Sequence, residues 1–419
     1  MKNIRASERK RKELEALLER EGTGAMEEFH RLSQEKVYQE AMEAEVDAFL
    51  GRSWHERKKE SQPGYRNGYY ERKAVVPGER LSISVPRLRG TKRPFVSRVL
   101  KGMAQLAEKV RVLALEAYIR GLSTRDIEQT FVDEHQRGLL SRSAVSRLSE
   151  RLYQAYESFS RRDLSGLDVV VLFADGVYEA VRRYTNNQAL LCAWGICSDG
   201  KKMLIHLAAV QSESEQAWES FFEDLQKRGL RHPLLVVSDG NNGVIAAIER
   251  KFPLSDRQRC LVHKLRNIAA KLPRDVQEVV LQEFKEVYYA NSRETANLLG
   301  ARLIEKYAAT YPAAVACFTD DLEACLVYLT YPEAHRRFIR TTNLLERTFE
   351  EEKRRTKILP QHQHERAVVG LVFAVLYRVS QRWQHVTMTA VELAQLRALR
   401  TIKSPETNEQ GMISYRIAV

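Results

Sequence analysis

The sequence predicts an α/β fold, in which a mixed sheet flanked by helices carries an all-helical insertion and is preceded by helical and basic β-containing units. Three observations lead there. Apolar runs fit for buried strands begin after Leu167, helical periodicity surrounds them, and a stretch rich in Gly, Pro, Tyr and Arg with alternating apolar positions stands apart near the amino terminus. With 419 residues, 44% hydrophobic and 29% charged, the chain is long enough for several domains and too apolar for wholesale disorder.

Residues 1–50 read as amphipathic helices, because Leu14, Leu17, Leu18, Phe29, Leu32 and Val37 recur at helical spacing, and such a face is suited to dimerisation. Residues 51–100 read as a basic β-rich unit. Leu81, Ile83 and Val85 alternate before Pro86, and thirteen Lys or Arg stand against four Asp or Glu. That charge makes the unit a candidate phosphate-binding surface, with Arg66, Arg87 and Arg89 as candidate contacts. A solvated basic loop between two helical units would show the same composition.

Residues 101–165 return to helical periodicity. Two helix starts, at residues 122–127 (LSTRDI) and 141–148 (SRSAVSRL), place Ser or Thr in capping positions. Two such helices fit a helix-turn-helix, with Arg125, Arg142 and Arg147 reaching DNA. The connection, residues 132–141, is longer than a tight turn, so an ordinary helical bundle fits as well.

From Leu167 onward the pattern is α/β. Strands are expected at residues 168–174 (DVVVLFA), 178–184, 189–196 and 203–210, then a helix over 214–227 with Trp218, Phe221, Phe222 and Leu225 on one face. A strand at 233–237 (PLLVV) then ends in Ser238-Asp239-Gly240. Three antiparallel strands, a helix and a strand returning beside the first is the order of an RNase H-like core, assigned to residues 166–260 and 335–400. Helices at 243–251 and 263–271, then a long helical stretch to about Leu329, make residues 261–334 an all-helical insertion, and 401–419 form a carboxy-terminal tail.

The net charge of +12, with a pI near 9.4, favours a polyanionic partner, either nucleic acid or an anionic membrane surface. The longest apolar run, residues 189–197, falls far short of the roughly 20 residues of a membrane helix, and the amino terminus lacks a hydrophobic signal core. Five cysteines, an odd number without a dense framework, point to a reducing compartment. A cytoplasmic protein is expected.

Asp175 and Asp239 each follow a predicted buried strand and each precede a Gly. If the strands are parallel neighbours, their carboxylates stand side by side and repel unless a proton or cation lies between them. Magnesium suits such hard oxygen ligands. Asp-Gly after a strand is also a common turn. A third acid is needed for a two-metal site, and Glu346 can supply it from the first turn of a helix begun at Thr341-Thr342-Asn343. Glu346, Glu350, Lys353 and Lys357 fall along one side of that helix, so a metal-binding acid would be continued by cations that hold phosphates. A solvated charged helix would satisfy the same pattern.

Taken together, LFADGVYEAVR, VVSDGNNGVIAAIE, QRCLVHKLRNI and TTNLLERTFEEEKRRTK closely resemble the mutator-type transposases of bacterial insertion sequences, relatives of the eukaryotic Mutator-like enzymes. The resemblance extends to YRNGYYERKAVVPGERLSISVPRLRG and GLSTRDIEQTF. It implies an RNase H-like fold with a DDE triad, carried over by motif to Asp175, Asp239 and Glu346, and a helical insertion in the 107 residues between the last two. The implied cofactor is a pair of Mg²⁺ ions, with Mn²⁺ able to substitute.

The implied partner is double-stranded DNA, both the terminal inverted repeats and the target, bound by a homodimer or larger homo-oligomer associated with the bacterial nucleoid. Cys260 and His263 match the family's Cys-x-x-His pair. His263, Lys264 and Arg266 are expected at DNA near the scissile phosphate or a flipped base, although a packed Cys and a capping His would read the same way. Arg347, Lys353, Arg354, Arg355 and Lys357 are the expected phosphate contacts beyond Glu346. Structural zinc is not expected, because no second ligand pair accompanies Cys260 and His263. His362 and His364 sit where the chain departs from the family pattern and receive no metal role. The competing functions are a structure-selective nuclease on the same fold and a transposase-derived DNA-binding regulator without catalysis.

Overall fold

The computed structural model describes residues 4–19, 23–62, 64–132, 138–179, 188–356, 365–403, 406–407 and 413–414. It forms two compact units, Met1–Ser149 and Glu150–Val419. Among the described residues no helix is long and apolar enough to cross a membrane.

The first unit contains helices α1 (Ala6–Leu18) and α2 (Thr23–Leu50), a hairpin of β1 (Tyr65–Val76) and β2 (Glu79–Arg89), helices α3 (Arg98–Ile119) and α4 (Thr124–Thr130), and the start of α5 (Arg142–Ser160). The predicted alternation holds: Leu81, Ile83 and Val85 are buried and pack with Met42, Val76 and Met103. Gly78 closes the hairpin at a φ of +82°, a conformation glycine adopts without a Cβ clash.

Helix α2 seals the edge of β2, which would otherwise present unpaired backbone groups. The Gln39 amide donates to the Ser84 carbonyl (2.8 Å) and accepts from the Ser84 N–H (3.1 Å), while Glu35 accepts from the Ser82 N–H (2.7 Å). Glu35 also holds Lys10 and Arg31. One turn apart from Gln39, Glu43 accepts from the Ser7 hydroxyl (2.6 Å) and the Tyr69 hydroxyl (2.9 Å). This polar layer fixes α1, α2 and the hairpin together. The predicted start of α4 is a capping box in which Ser123 and Asp126 satisfy each other's N–H groups. Ser141 caps α5 by accepting from the Ala144 N–H.

The second unit is built on strands β3 (Val169–Glu179), β4 (Gln188–Cys197), β5 (Lys202–Val210), β6 (Leu235–Ser238) and β7 (Asp256–Arg259). Their order is β5-β4-β3-β6-β7. β3, β4 and β5 are antiparallel, whereas β3, β6 and β7 run parallel. Helices α6 (Glu215–Lys227), α7 (Asn242–Lys251) and α8 (Leu261–Ala269) connect and follow the parallel strands. A five-stranded mixed sheet with flanking helices is compatible with the predicted RNase H-like order.

Two strand expectations change. Tyr178 and Glu179, the start of the strand expected at 178–184, belong to β3, because Gly176 keeps its place in the ladder opposite Leu191. Residues 180–187 lie outside the described set. The predicted turn after Asp175 is thus continuous strand. β7 has the polar sequence DRQR, which gives no apolar signal, and exists because parallel pairing with β6 and burial of Gln258 hold it. The Gln258 amide donates to the Cys325 carbonyl and accepts from the Tyr328 N–H.

Alternate residues sort onto two faces. Leu172, Ala174, Leu191 and Val236 pack with Trp218, Phe222, Val244 and Ile248 of α6 and α7. Val171, Phe173, Trp194 and Val237 face a larger core shared with helices that follow in the chain. Those helices are α9 (Gln277–Tyr288), α10 (Arg293–Tyr307), α11 (Pro312–Thr319) and α12 (Leu322–Leu326), followed by α13 (Glu333–Ile339), α14 (Asn343–Thr356), α15 (Glu365–Ser380) and α16 (Ala390–Lys403). α14 packs on β3 and α15, with Phe349 in the shared core.

Candidate active site

The last paired residues of β3 and β6 are Ala174 and Ser238, and the next residue on each strand is Asp175 and Asp239. Parallel strands about 4.8 Å apart therefore carry the two acids side by side where β6 ends and β3 runs on. The tail of β6 is fixed locally, since Asn241 donates its N–H to the Asp239 carboxylate (3.1 Å) while its own side chain caps α7 at the Gly243 N–H (2.9 Å).

Asp175 is buried, and this burial pushes its carboxyl up to about 7. Nearby His263 favours the ionised form, whereas the carboxylates of Asp239 and Glu213 oppose it. The Gly176 N–H donates to the Asp175 carboxylate at 2.9 Å. Gly176 itself makes room for Glu213: a Cβ there would lie 2.7 Å from the Glu213 carboxyl group. Glu213 also accepts from the Trp218 indole N–H (3.2 Å). Sequence reasoning missed this third acid, because Ser212-Glu213-Ser214 reads simply as the polar approach to a helix cap.

Cys260 caps α8 and is buried. Its sulfur accepts from the backbone N–H and the hydroxyl of Thr342, at 3.3 and 3.2 Å, and from His263. Burial opposes ionisation of the thiol, but the bonds from His263 and Thr342 outweigh it and hold the group below its ordinary range. His263 thus interacts with both the Cys260 thiol and Asp175.

Two expected DNA contacts are corrected. Lys264 is 0% exposed, and its ammonium bonds the carbonyl and carboxylate of Asp320 at the end of α11, so it ties α8 to α11 from the interior. Arg66 has a side chain only 14% exposed, paired with Asp47 (2.6 Å) and donating to the Arg52 carbonyl (2.7 Å). Charge alone could not separate these from surface cations. Arg259, which was not anticipated, packs its guanidinium against Gly240 and is held by Asp320 and Asp321. Asp321 adopts a φ of 60° and also pairs with Arg257.

The remaining cations fall where DNA could reach them. Arg87 and Arg89 are exposed and lie over the rings of Tyr70 (5.1 Å) and Tyr65 (5.8 Å). Arg125, Arg147, Arg266, Lys353 and Arg354 are exposed, Arg354 being paired with Glu351. The backbone of Glu346 lies in the first turn of α14. The side chains of Glu346, Arg347, Arg355 and Arg142 lie outside the described set, as do residues Lys357, His362 and His364.

A divalent cation would suit the donor chemistry at the strand ends, where hard carboxylate oxygens repel one another and one of them is driven to hold a proton. Asp175 and Asp239 fit as two ligands. Among the described residues no three His, Cys, Asp or Glu side chains are close enough to hold an ion, so a complete site needs a further ligand.

The family model described as "Transposase, Mutator family" matches residues 6–386. The chain is 33% identical over 350 residues to the transposase for insertion sequence element ISRM5 of Rhizobium meliloti (strain 1021), covering 83% of this chain and 86% of that protein. It is 32% identical over 270 residues to the transposase for insertion sequence element IS6120 of Mycolicibacterium smegmatis, covering 64% and 84%. It is 31% identical over 351 residues to the transposase for insertion sequence element IS256 in transposon Tn4001 of Staphylococcus aureus, covering 83% and 89%.

Proposed function

The chain belongs to the Mutator family of transposases, and from that premise we propose that it binds the terminal inverted repeats of its own element and cuts and joins DNA by a DDE mechanism on an RNase H-like core. The observation that carries this reading is the placement of Asp175 and Asp239 one residue beyond the paired ends of adjacent parallel strands. Asp175, Asp239 and Glu346 would hold two Mg²⁺ ions, which Mn²⁺ could replace. When bound, the ions would activate the attacking oxygen and stabilise the leaving one.

The chain's own residues set the rest. Without a cation Asp175 retains a proton near neutral pH, and the His263 beside it favours giving that proton up. Water attacks first to free a 3′ hydroxyl, and that hydroxyl then attacks target DNA in line, with no covalent enzyme intermediate. Arg87, Arg89, Arg125 and Arg147 of the first unit would hold the terminal repeats, with Lys353, Arg354 and Arg266 holding phosphates near the scissile bond. Two ends must be brought together, which calls for a dimer or larger assembly.

The test is Mg²⁺-dependent cleavage and joining of labelled duplexes carrying the element's ends, using the wild type, Asp175→Asn, Asp239→Asn and Glu346→Gln. Joined product from the wild type alone supports the reading. Cleavage without joining would favour a nuclease, and binding without cleavage a regulator. Activity that survived all three substitutions would place the chemistry elsewhere.

A further inference from the structure

Cys260 stands where three parts of the second unit meet. Its backbone N–H donates to the Ser238 carbonyl at 2.8 Å, which extends the β6–β7 ladder to the residue preceding Asp239. Its sulfur accepts from both the N–H and the hydroxyl of Thr342. Thr342 is fully buried and immediately precedes α14. Next to this contact the Leu261 N–H donates to the Arg340 carbonyl at 3.1 Å. The segment leading into α14 is therefore fastened to the start of α8 at two consecutive positions, and through Cys260 to the strand end that bears Asp239.

We propose that Cys260 and Thr342 form a joint that positions the first turn of α14 against the Asp239 strand end, so that both are positioning residues for strand cleavage and transfer. This rests on the reading that Asp175, Asp239 and Glu346 make up the reactive site. The physical case is that α14 begins directly after a buried threonine, whose N–H has no carbonyl partner within the helix. That N–H is satisfied by a side chain from another element, so the thiol determines where the helix starts. Sulfur suits the task because it accepts at longer range than oxygen and can take two donors from one residue at 3.2–3.3 Å. The joint touches neither DNA nor the reacting atoms. It acts through the placement of Glu346, where an error of about 1 Å can cost on the order of a hundredfold in rate.

The experiment compares Cys260→Ala, Cys260→Ser, Thr342→Val, Thr342→Ser and Cys260→Ala/Thr342→Val in the full chain, with Asp239→Asn alongside. Single-turnover cleavage is measured at saturating terminal duplex, the affinity for that duplex is measured separately, and amide exchange is followed across residues 340–346. Cys260→Ala should slow cleavage about ten- to a hundredfold with affinity unchanged, and Thr342 should lose its amide protection. Thr342→Val should slow cleavage in the same sense, and Thr342→Ser should stay within about twofold of the wild type because its hydroxyl and N–H remain. The double variant should be no slower than Cys260→Ala, since the two residues act through one contact.

Wild-type rates in folded Cys260→Ala or Thr342→Val, with Asp239→Asn inactive, would overturn the joint and leave the site reading standing. Multiplicative losses in the double variant would also overturn it. An active Asp239→Asn would overturn the site reading and the joint with it. Should Cys260→Ala fail to fold, Thr342→Val and Thr342→Ser decide the matter alone.

Discussion

Buried carboxylates occur in both units, and they are treated in opposite ways. In the first unit Glu35 and Glu43 are enclosed by donors: Lys10, Arg31 and the Ser82 N–H surround one, while Ser7, Gln39 and Tyr69 surround the other. In the second unit's sheet, burial pushes the Asp175 carboxyl up to about 7, and the carboxylates of Asp239 and Glu213 add to that push against the opposing effect of His263. A buried charge surrounded by donors holds elements together, whereas one set against like charges costs stability unless something else neutralises it. The contrast marks the first pair as architecture and supports the proposal that the second takes a cation.

The strongest way to break this contrast is to neutralise each acid in turn. Asp175→Asn and Asp239→Asn should lower cleavage and joining by about a thousandfold or more while the chain stays folded, since each removes a proposed ligand charge while the Asn side-chain oxygen can still accept from the Gly176 or Asn241 N–H. Quantified strand transfer together with circular dichroism checks both halves of that expectation.

The next largest effect is in pH dependence without divalent cation. Asp175 is harder to ionise folded than unfolded, so its penalty is absent below about pH 4, grows as pH rises, and is complete above about pH 7. Metal-free wild type should lose roughly 2–4 kcal/mol relative to Asp175→Asn across that window. The difference between the two proteins is the quantity to follow. His206, pushed down to about 3 by burial and by Arg228 and Arg162, gives stability that is lost as pH falls below about 6.5, the opposite slope. Parallel denaturation curves for the two proteins from pH 4 to 8 would remove Asp175 from the account.

In the first unit Glu43→Ala should cost about 2–3 kcal/mol, because the Ser7 and Tyr69 hydroxyls lose a buried acceptor. Amide exchange in α1 and β1 reports the loss. The smallest effect belongs to the exposed cations. Arg87→Ala and Arg89→Ala should each change stability by less than about 0.5 kcal/mol, yet each should lower the salt slope of terminal-duplex binding by about one. An unchanged salt slope would remove them from the DNA surface.

Much of this contrast was legible in the sequence on one side only. The strands that bear Asp175 and Asp239 announce themselves through DVVVLFA and PLLVV, and burial on both faces is what makes those runs continuously apolar. The alternation of Leu81, Ile83 and Val85 and the caps at Ser123 and Ser141 were equally plain. β7 was not, because DRQR is held by its neighbour and not by its own hydrophobicity. Glu213 and Arg259 were silent for a related reason, since each gains its role from a contact made across the fold, to Gly176 and Gly240 respectively; Thr342 was read as a candidate helix cap, but its bond to Cys260 was not visible. Lys264 and Arg66 read as surface cations because sequence records charge without recording burial.

The most direct measurement of the central claim places a redox-active ion in the proposed site. Fe²⁺ replacing Mg²⁺, given ascorbate and peroxide, cleaves the nearest backbone, and mass spectrometry locates the breaks. The account predicts cuts clustered around Asp175, Asp239 and Glu346 that compete with added Mg²⁺ and vanish in Asp175→Asn. Cuts elsewhere, or a pattern that Asp175→Asn leaves unchanged, would contradict it.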